Sequence, residues 1–403
     1  MNSKYDAVVV GAGAAGVFAA LRAKECDPGL KLVVLEKSAK PLRKVGISGG
    51  GRCNVTHACD DLDWLLSCYP RGGPRLEAIL GRFMPEDTER WFADRGVCLK
   101  AESDGRMFPV TDSSQTIIDA LLGRAKELEL EIQTQRSVKT FQSGFRLGLS
   151  DGTELSANKV LLATGGASPA TGWLRSLGHK IVADIPSLFT FCCQHPAVLE
   201  LAGVVADPVG LELSVEGERF FSEGPMLITH WGLSGPAVLK LSAFAARALY
   251  AAEYRADLKV DFFPHWTLPQ LEASFEHRSP EQRLATASPF PSIPKRLWRR
   301  LLEILEFPAE KTWRQTGSAE RLHLAKCLKG LVLGINGKGV FKEEFVTAGG
   351  LPLSEIDPYT MESRRTPGLY VAGELLDVDG ITGGFNFQNA WATGYVAGEG
   401  LAR

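Results

Sequence analysis

The stretch YDAVVVGAGAAGVFAALRAKE (Tyr5–Glu25), followed by KLVVLEK (Lys31–Lys37), decides the fold. Tyr5 to Val10 is a short run of β-branched and apolar residues, which predicts a strand buried on both faces. Gly11 to Gly16 turns the chain, and Ala14 to Glu25 predicts a helix with small residues where it would lie on that strand. Lys31 to Leu35 predicts a second strand, which completes a βαβ unit in about 30 residues. Gly11-Ala12-Gly13-Ala14-Ala15-Gly16 is a G-x-G-x-x-G motif set between the strand and the helix, and Glu36 lies 20 residues beyond Gly16 at the end of the next strand. That context reads as a dinucleotide fingerprint. Gly11 allows the tight turn and Gly16 the close helix–strand approach. Gly13, with the N–H groups of Ala14 and Ala15, would meet a pyrophosphate at the helix N-terminus. The Glu36 carboxylate would accept from ribose hydroxyls and repel a 2′-phosphate.

Glycine placement extends the reading. The chain has 403 residues and 42 glycines, yet none between 236 and 316. Elsewhere glycines cluster at 11–16, 46–51, 165–166, 349–350 and 383–384, where backbone must turn sharply or approach something closely. The glycine-free stretch is read as helices separated by prolines 280, 289, 291, 294 and 308. Strands are expected at 133–140, 145–149, 153–155, 159–164, 258–263 and 368–372. Residues 189–229 read as short strands, with turn signals at Asp207-Pro208 and Glu216-Gly217, and 385–401 as a terminal helix. The expectation is one α/β domain built from residues 1–187 and 345–403. Into it are inserted a β-rich domain (188–265 and 330–344) and a helical segment (266–329).

Composition narrows the class. Lys plus Arg is 45 and Asp plus Glu is 47, so no global basic field favours nucleic acid. The longest uncharged apolar run, Ala7 to Leu21, is too short for a bilayer span and lacks a basic lead, so it is a poor signal peptide. The eight cysteines show neither C-x-x-C nor zinc-type Cys/His spacing, so no metal is expected, and a reduced cytoplasmic setting is the simplest reading.

FAD and NAD both fit the fingerprint. No second strand–GxGxxG–helix unit exists, and distant glycine-rich stretches at 46–51 and 380–386 still need a role. A long cofactor such as FAD recruits distant segments in that way. LEKSAKPLRKVGISGGGRCNVTH (Leu35–His57), THWGLSGPAVLKLS (Thr229–Ser242), VTAGG (Val346–Gly350) and TMESRRTPGLYVAGELLDVDGITGGFNFQNAWATGY (Thr360–Tyr395) resemble the motifs of the HI0933-like flavoproteins.

The resemblance implies a Rossmann-like FAD domain of the glutathione-reductase type, an inserted small β-barrel-like domain and a helical domain. It implies Glu36 and Lys37 at the adenosine end. Lys44 and the loop Gly49, Gly50, Gly51, Arg52, Cys53 and Asn54 would lie along the flavin. Val138 would hold the adenine through its backbone, and Thr164, Gly165 and Gly166 would form the turn beside the cofactor. Gly373, Glu374 and Asp379 would reach the ribityl and phosphate region, with Gly383, Gly384, Phe385, Asn386 and Phe387 over the pyrimidine edge. Reduced flavin is negative near N1 and O2, and the helix starting at Phe385 would offer it N–H donors and a positive dipole end.

Several rival readings stand beside these. Gly46-Ile47-Ser48-Gly49-Gly50 matches G-x-S-x-G, but a nucleophile elbow needs a strand before it and a helix after it. Cys53 next to Arg52 is a redox or proton-transfer candidate, or a small residue packed near the ring. His230 is an acid–base candidate, or a domain-junction histidine. Lys295-Arg296-Leu297-Trp298-Arg299-Arg300 reads either as an RNA contact or as a solvated helix face.

The function expected is hydride transfer through flavin N5 between NAD(P)H or an organic donor and a small-molecule substrate. That substrate would be bound between the FAD domain and the insertions. NAD(P)H would dock transiently. The alternatives are an RNA-binding or RNA-modifying flavoprotein and an amine-type oxidase using O2.

Overall fold

The computed structural model describes residues 3–142, 144–166, 168–339 and 346–403. The chain divides into two compact units, Met1–Pro186 with Val346–Arg403, and Ser187–Phe345.

The first unit is built on a seven-stranded sheet: β1 (Ser3–Val10), β2 (Leu32–Leu35), β3 (Glu131–Gln133), β4 (Val138–Gln142), β5 (Arg146–Leu149), β6 (Glu154–Leu162) and β7 (Leu369–Val371). Its order is β3-β2-β1-β6-β5-β4, with β7 also on β6. Strands β3, β2, β1, β6 and β7 run parallel, with Val8 opposite both Val33 and Val160. Strand β6 is one nine-residue element where two strands were expected. Its first half alternates in burial and pairs antiparallel with β5; its last three residues, Val160 to Leu162, are fully buried and pair with β1 and β7. The change from alternation to continuous burial marks where the sheet becomes covered on both faces.

Two helices supply much of that cover, α1 (Ala14–Cys26) and α2 (Phe385–Ala402). They touch through backbone. A Cβ on Gly394 would lie 2.7 Å from the Ala15 carbonyl oxygen, and one on Gly398 2.5 Å from that of Ala19. Aromatic edges fill the flank, with Phe18 packed on Phe83, Trp91 and Trp391 at centroid distances of 4.9–5.4 Å.

The second unit is a closed six-stranded barrel. Its strands are Phe191–Cys192, Gly232–Ser234, Glu218–Ile228, Val205–Val215, Arg255–Asp261 and Leu331–Lys338, in that order around the barrel. Residues 189–229 therefore hold one two-residue strand and two eleven-residue strands rather than a series of short ones. Glu216-Gly217 is the hairpin turn, both residues with positive φ (48° and 88°) as such turns require. Asp207-Pro208 is no turn. It lies within a strand, where the register shifts between Ala206 and Val209.

Helices Leu268–Ser274, Lys295–Ile304 and Ser318–Gly330 share one apolar core with the barrel, through Leu271, Trp298, Leu301 and Leu324 against Leu213, Leu258 and Leu333. The basic run at Lys295 is the outer side of such a helix. Leu297, Trp298, Leu301 and Leu302 point inward, Arg299 Nε donates to the Ala285 carbonyl, and Arg300 pairs with Glu200 and Glu303. Residues 340–344 and Phe345 of the expected boundaries lie outside the described residues.

Among the described residues no helix is long and apolar enough to cross a membrane. None of their His, Cys, Asp and Glu side chains cluster as a metal site.

The glycine contact between α1 and α2 makes a stability prediction. Gly394→Val should lower unfolding free energy by about 3 kcal/mol, because backbone on both sides cannot give way. Gly172→Ala, at an exposed position of the helix Ala170–Ser176 with open space around its Cβ position, should change it by less than about 1 kcal/mol and in the stabilising direction. Urea denaturation of both variants checks the contrast; equal midpoints would contradict it.

Candidate functional site

The five parallel strands end on one edge of the sheet, so the segments after Val10, Leu35, Leu162 and Val371 emerge together. In open α/β sheets ligands bind outside that carboxyl edge. Backbone bonds hold the edge in order: Gly11 N–H donates to Leu35 O (2.8 Å), Ala163 N–H to Val10 O (2.9 Å) and Ala372 N–H to Leu162 O (3.1 Å).

The three fingerprint glycines have different surroundings. Gly11 has φ +109°, and a Cβ there would meet Ala163 O at 2.4 Å. A Cβ on Gly16 would meet Gly11 O at 1.9 Å. On Gly13 it would meet nothing within 4 Å. Two glycines are thus required by the protein's own packing, while the third faces open space where a ligand's backbone-close approach would be made. Helix α1 has no side-chain cap and no acidic residue in its first turn, so its N-terminal N–H groups keep their pull on an anion.

Glu36 is tied down by that same loop. Its Oε2 accepts from Ala12 N–H (2.9 Å), and its Oε1 accepts from Ser38 N–H (2.8 Å) and Ser38 Oγ (2.7 Å). The carboxylate is fixed in direction and retains one acceptor position, on Oε2, for a ribose hydroxyl. Lys37 beside it is exposed. Arg136 N–H donates to Glu36 O (2.8 Å), and two residues on Val138 opens β4 as a buried side chain paired with Leu149.

Next along the edge, Leu42 N–H donates to Ala12 O (2.8 Å), and Lys44 Nζ pairs with Glu374 Oε2 at 2.5 Å. Glu374 Oε1 accepts from Thr347 N–H (3.0 Å). Gly165 (φ +76°) faces that carboxylate, its Cβ position 3.6 Å from Oε2, whereas Gly166 packs on Thr347 and Thr164 Oγ1 bonds Ser168 Oγ (2.7 Å). Gly373 (φ +72°) donates its N–H to Thr393 Oγ1 (3.0 Å) and leaves room for Ala15.

The loop at 49–54 bends through left-handed backbone at Gly49, Gly50, Gly51 and Cys53, and Cβ positions on Gly50 and Gly51 would meet nothing within 4 Å. With its amide turned to satisfy both neighbours, Asn54 Oδ1 accepts from Gly384 N–H (2.9 Å) and Nδ2 donates to Thr56 O (3.0 Å). Asn54 therefore joins this loop to the start of α2. Asn386 bonds Gly380 N–H and C=O (2.9 Å each), Tyr69 Oη donates to Phe385 O (2.8 Å), and Phe387 stacks on Trp391. Helix α2 is capped by no side chain.

Two expectations change here, those for Asp379 and Cys53. Asp379 is no open acceptor for a ribityl chain: it is fully buried, and both its oxygens accept from the Arg71 guanidinium. Cys53 is no activated thiol: it is fully buried, and burial pushes its pKa up to about 12, against a weaker opposing hydrogen bond from Ser48. The neighbouring Arg52 guanidinium lies over the Phe108 ring and binds Glu102 (2.7 Å). His230 belongs to the barrel unit, in the turn closed by Thr229 N–H to Gly232 O (2.8 Å).

Residues not singled out in the sequence also shape the site. His57 Nδ1 meets Gly383 O at 3.0 Å, its ring stacks on Phe385 at 4.8 Å, and burial holds its pKa down. Thr56 and Thr88 both donate to Gln388 Oε1 (2.7 and 2.8 Å) beneath α2. His57 lies inside the Leu35–His57 motif, so its position was visible though its role was not. Gln388, Thr88 and Tyr69 carried no local signal.

The arrangement is a run of open glycines and two uncapped helix N-termini along one edge, with a fixed carboxylate at one end. It fits a long dinucleotide bearing a pyrophosphate.

The model of the HI0933-like protein Rossmann domain matches residues 5–400. The 3-dehydro-bile acid Δ(4,6)-reductase of Clostridium scindens is 32% identical, covering 98% of each chain. The ribosomal RNA dihydrouridine synthase of Escherichia coli is 29% identical, over 99% of this chain and 98% of that protein. Among solved structures, the 3-ketosteroid Δ4-(5α)-dehydrogenase of Rhodococcus jostii RHA1 shares the fold, with a TM-score of 0.53 at 15% identity over 100% of this chain and 97% of that one. A match over nearly the whole chain and a full-length relative at this identity place the protein: it belongs to the HI0933-like family of flavoprotein oxidoreductases.

Proposed function

We propose that the protein is an FAD-dependent reductase of a carbon–carbon double bond conjugated to a carbonyl. The observation that carries the cofactor reading is the open Cβ position of Gly13 between two glycines packed shut. The substrate reading comes from the relatives. One is named for reducing a Δ(4,6) unsaturated 3-dehydro-bile acid, another for making dihydrouridine in ribosomal RNA. A 4-ene beside a 3-oxo group and the uracil 5,6-bond beside its 4-carbonyl are both alkenes that accept hydride at the carbon distal to the carbonyl.

FAD, when bound, supplies two-electron chemistry. The chain's own groups do the positioning. The N–H groups at the start of α1 hold the pyrophosphate, and Glu36 accepts from the ribose. Lys44 and Glu374 neutralise each other alongside. The first-turn N–H groups of α2 stabilise negative charge at the pyrimidine edge, on a turn held by Asn54, His57 and Tyr69. Cys53 packs and does not transfer protons. An RNA substrate is supported by the dihydrouridine synthase relative and not by the basic helix at Lys295, whose arginines are engaged locally.

Three measurements test this reading. Gly13→Val should keep the wild-type melting temperature of the apoprotein and bind FAD about tenfold or more weakly, the equivalent of at least one charge-assisted hydrogen bond; unchanged FAD affinity would put the cradle elsewhere. Anaerobic mixing with NADH or NADPH should bleach the flavin, and a 3-oxo-4-ene steroid or a uridine-containing RNA should restore its colour. Reoxidation by O2 alone, with neither acceptor effective, would favour the oxidase alternative. Cys53→Ala should keep at least about half of kcat, and iodoacetamide at pH 8 should label exposed Cys98 and spare Cys53. Peptide mapping decides the labelling, and loss of activity in a folded Cys53→Ala would restore a chemical role to the thiol.

A further inference from the structure

The barrel unit holds a cavity of about 460 Å³, in the range of small-molecule sites. Its walls are mostly aromatic rings and prolines: Phe263, Trp266 and Phe290, with Pro264, Pro289 and Pro291. Phe263 and Phe290 pack edge to face at 4.5 Å, and Trp266 stands 5.4 Å from Phe263 and 40% exposed at the rim. The wall is anchored from behind. Asp261 Oδ1 accepts from Phe263 N–H (2.8 Å), and Lys329 Nζ bridges Asp261 Oδ2 and Phe263 O (2.6 Å each).

One cation lines this apolar space. The Arg278 guanidinium carbon lies 4.9 Å from the Phe290 ring centroid. Its Nε is buried and has no hydrogen-bond partner among the described residues, and burial alone lowers its pKa. Neighbouring arginines are arranged otherwise: Arg283 pairs with Glu310, Arg314 with Glu281 and Arg300 with Glu200. The guanidinium as a whole is half-buried, lies against an aromatic wall and pairs with no carboxylate among the described residues, so it offers an anionic ligand a charge-assisted partner at the edge of an apolar pocket. The other charged groups at the cavity do not serve it. His265 is taken by Glu223 (3.0 Å), and Asp207 is exposed, its charge solvated.

We propose that this cavity is a binding site for a compact hydrophobic carboxylate, its rings lodged among Phe263, Trp266 and Phe290 and its carboxylate on Arg278. The site lies wholly within the barrel unit and does not depend on the flavin reading.

Calorimetric titration of the FAD-saturated protein with 2-naphthoate and with neutral 2-naphthalenemethanol tests it. The carboxylate should bind about tenfold or more tightly than the alcohol. Arg278→Leu should erase that preference while leaving the alcohol's affinity unchanged, and Arg278→Lys should keep part of it. Trp266→Ala should weaken both probes. Circular dichroism and unchanged flavin content show that each variant is folded. No saturable binding of 2-naphthoate, equal affinities in the wild type (the behaviour of a surface that docks an apolar protein segment) or a preference surviving Arg278→Leu would each overturn the proposal. None of these outcomes bears on FAD binding, so this site and the flavin cradle fail separately.

Discussion

The first unit depends on the missing side chain of Gly16. With a Cβ position 1.9 Å from the Gly11 carbonyl oxygen, any other residue would push α1 off the turn that starts it. The same turn is pressed on Ala163 at the end of β6, so three chain segments share one tight contact. Gly394 and Gly398 repeat the device on the other side of α1, drawing α2 in until backbone meets backbone. The result is directional. Two helices of 13 and 18 residues are locked to each other and to a parallel sheet, and their N-terminal N–H groups are fixed before any ligand arrives. Groups already held in place contribute to binding and catalysis without a reorganisation cost.

The charged side chains along this edge are largely self-neutralised. Lys44 sits on Glu374, Arg52 on Glu102, and Arg71 on the buried Asp379. A buried carboxylate needs such a partner, since an unpaired one would be strongly destabilising. The carboxylate of Asp379 therefore ties the segment at 71 to that at 379 and is closed to solvent. What remains for an anionic cofactor is mostly backbone: the first turns of α1 and α2 and the left-handed loop at 49–53. Glycine, and not lysine or arginine, is therefore the residue that marks this candidate site.

The sequence was therefore readable where function rests on backbone. The βαβ start, the glycine clusters and the split of the α/β domain around an insertion all follow from residues whose identity dictates conformation. It was less readable where function rests on a partner far along the chain. The partners of Asp379 and Asn54, Arg71 and Gly384, lie 308 and 330 residues away, and no local pattern indicates them. Cys53 next to Arg52 suggested an activated thiol, whereas the guanidinium turns to Glu102 and burial decides the pKa. In the barrel, proline at 208 suggested a turn because a ladder usually excludes it, but a register shift accommodates it inside a strand.

The order of segments along the chain carries a consequence for folding. Strand β7, Gly373 and α2 all follow the inserted unit, yet they pair with β6, touch Ala15 and pack on α1. Residues 3–162 by themselves contain the fingerprint turn but lack the helix that covers α1 and the second N-terminus. The inserted unit, by contrast, closes its own barrel and core. Contacts of such long sequence separation carry a large loop-closure cost when the intervening chain is unfolded. Prior folding of the insertion would shorten the effective loop between β6 and β7 and lower that cost.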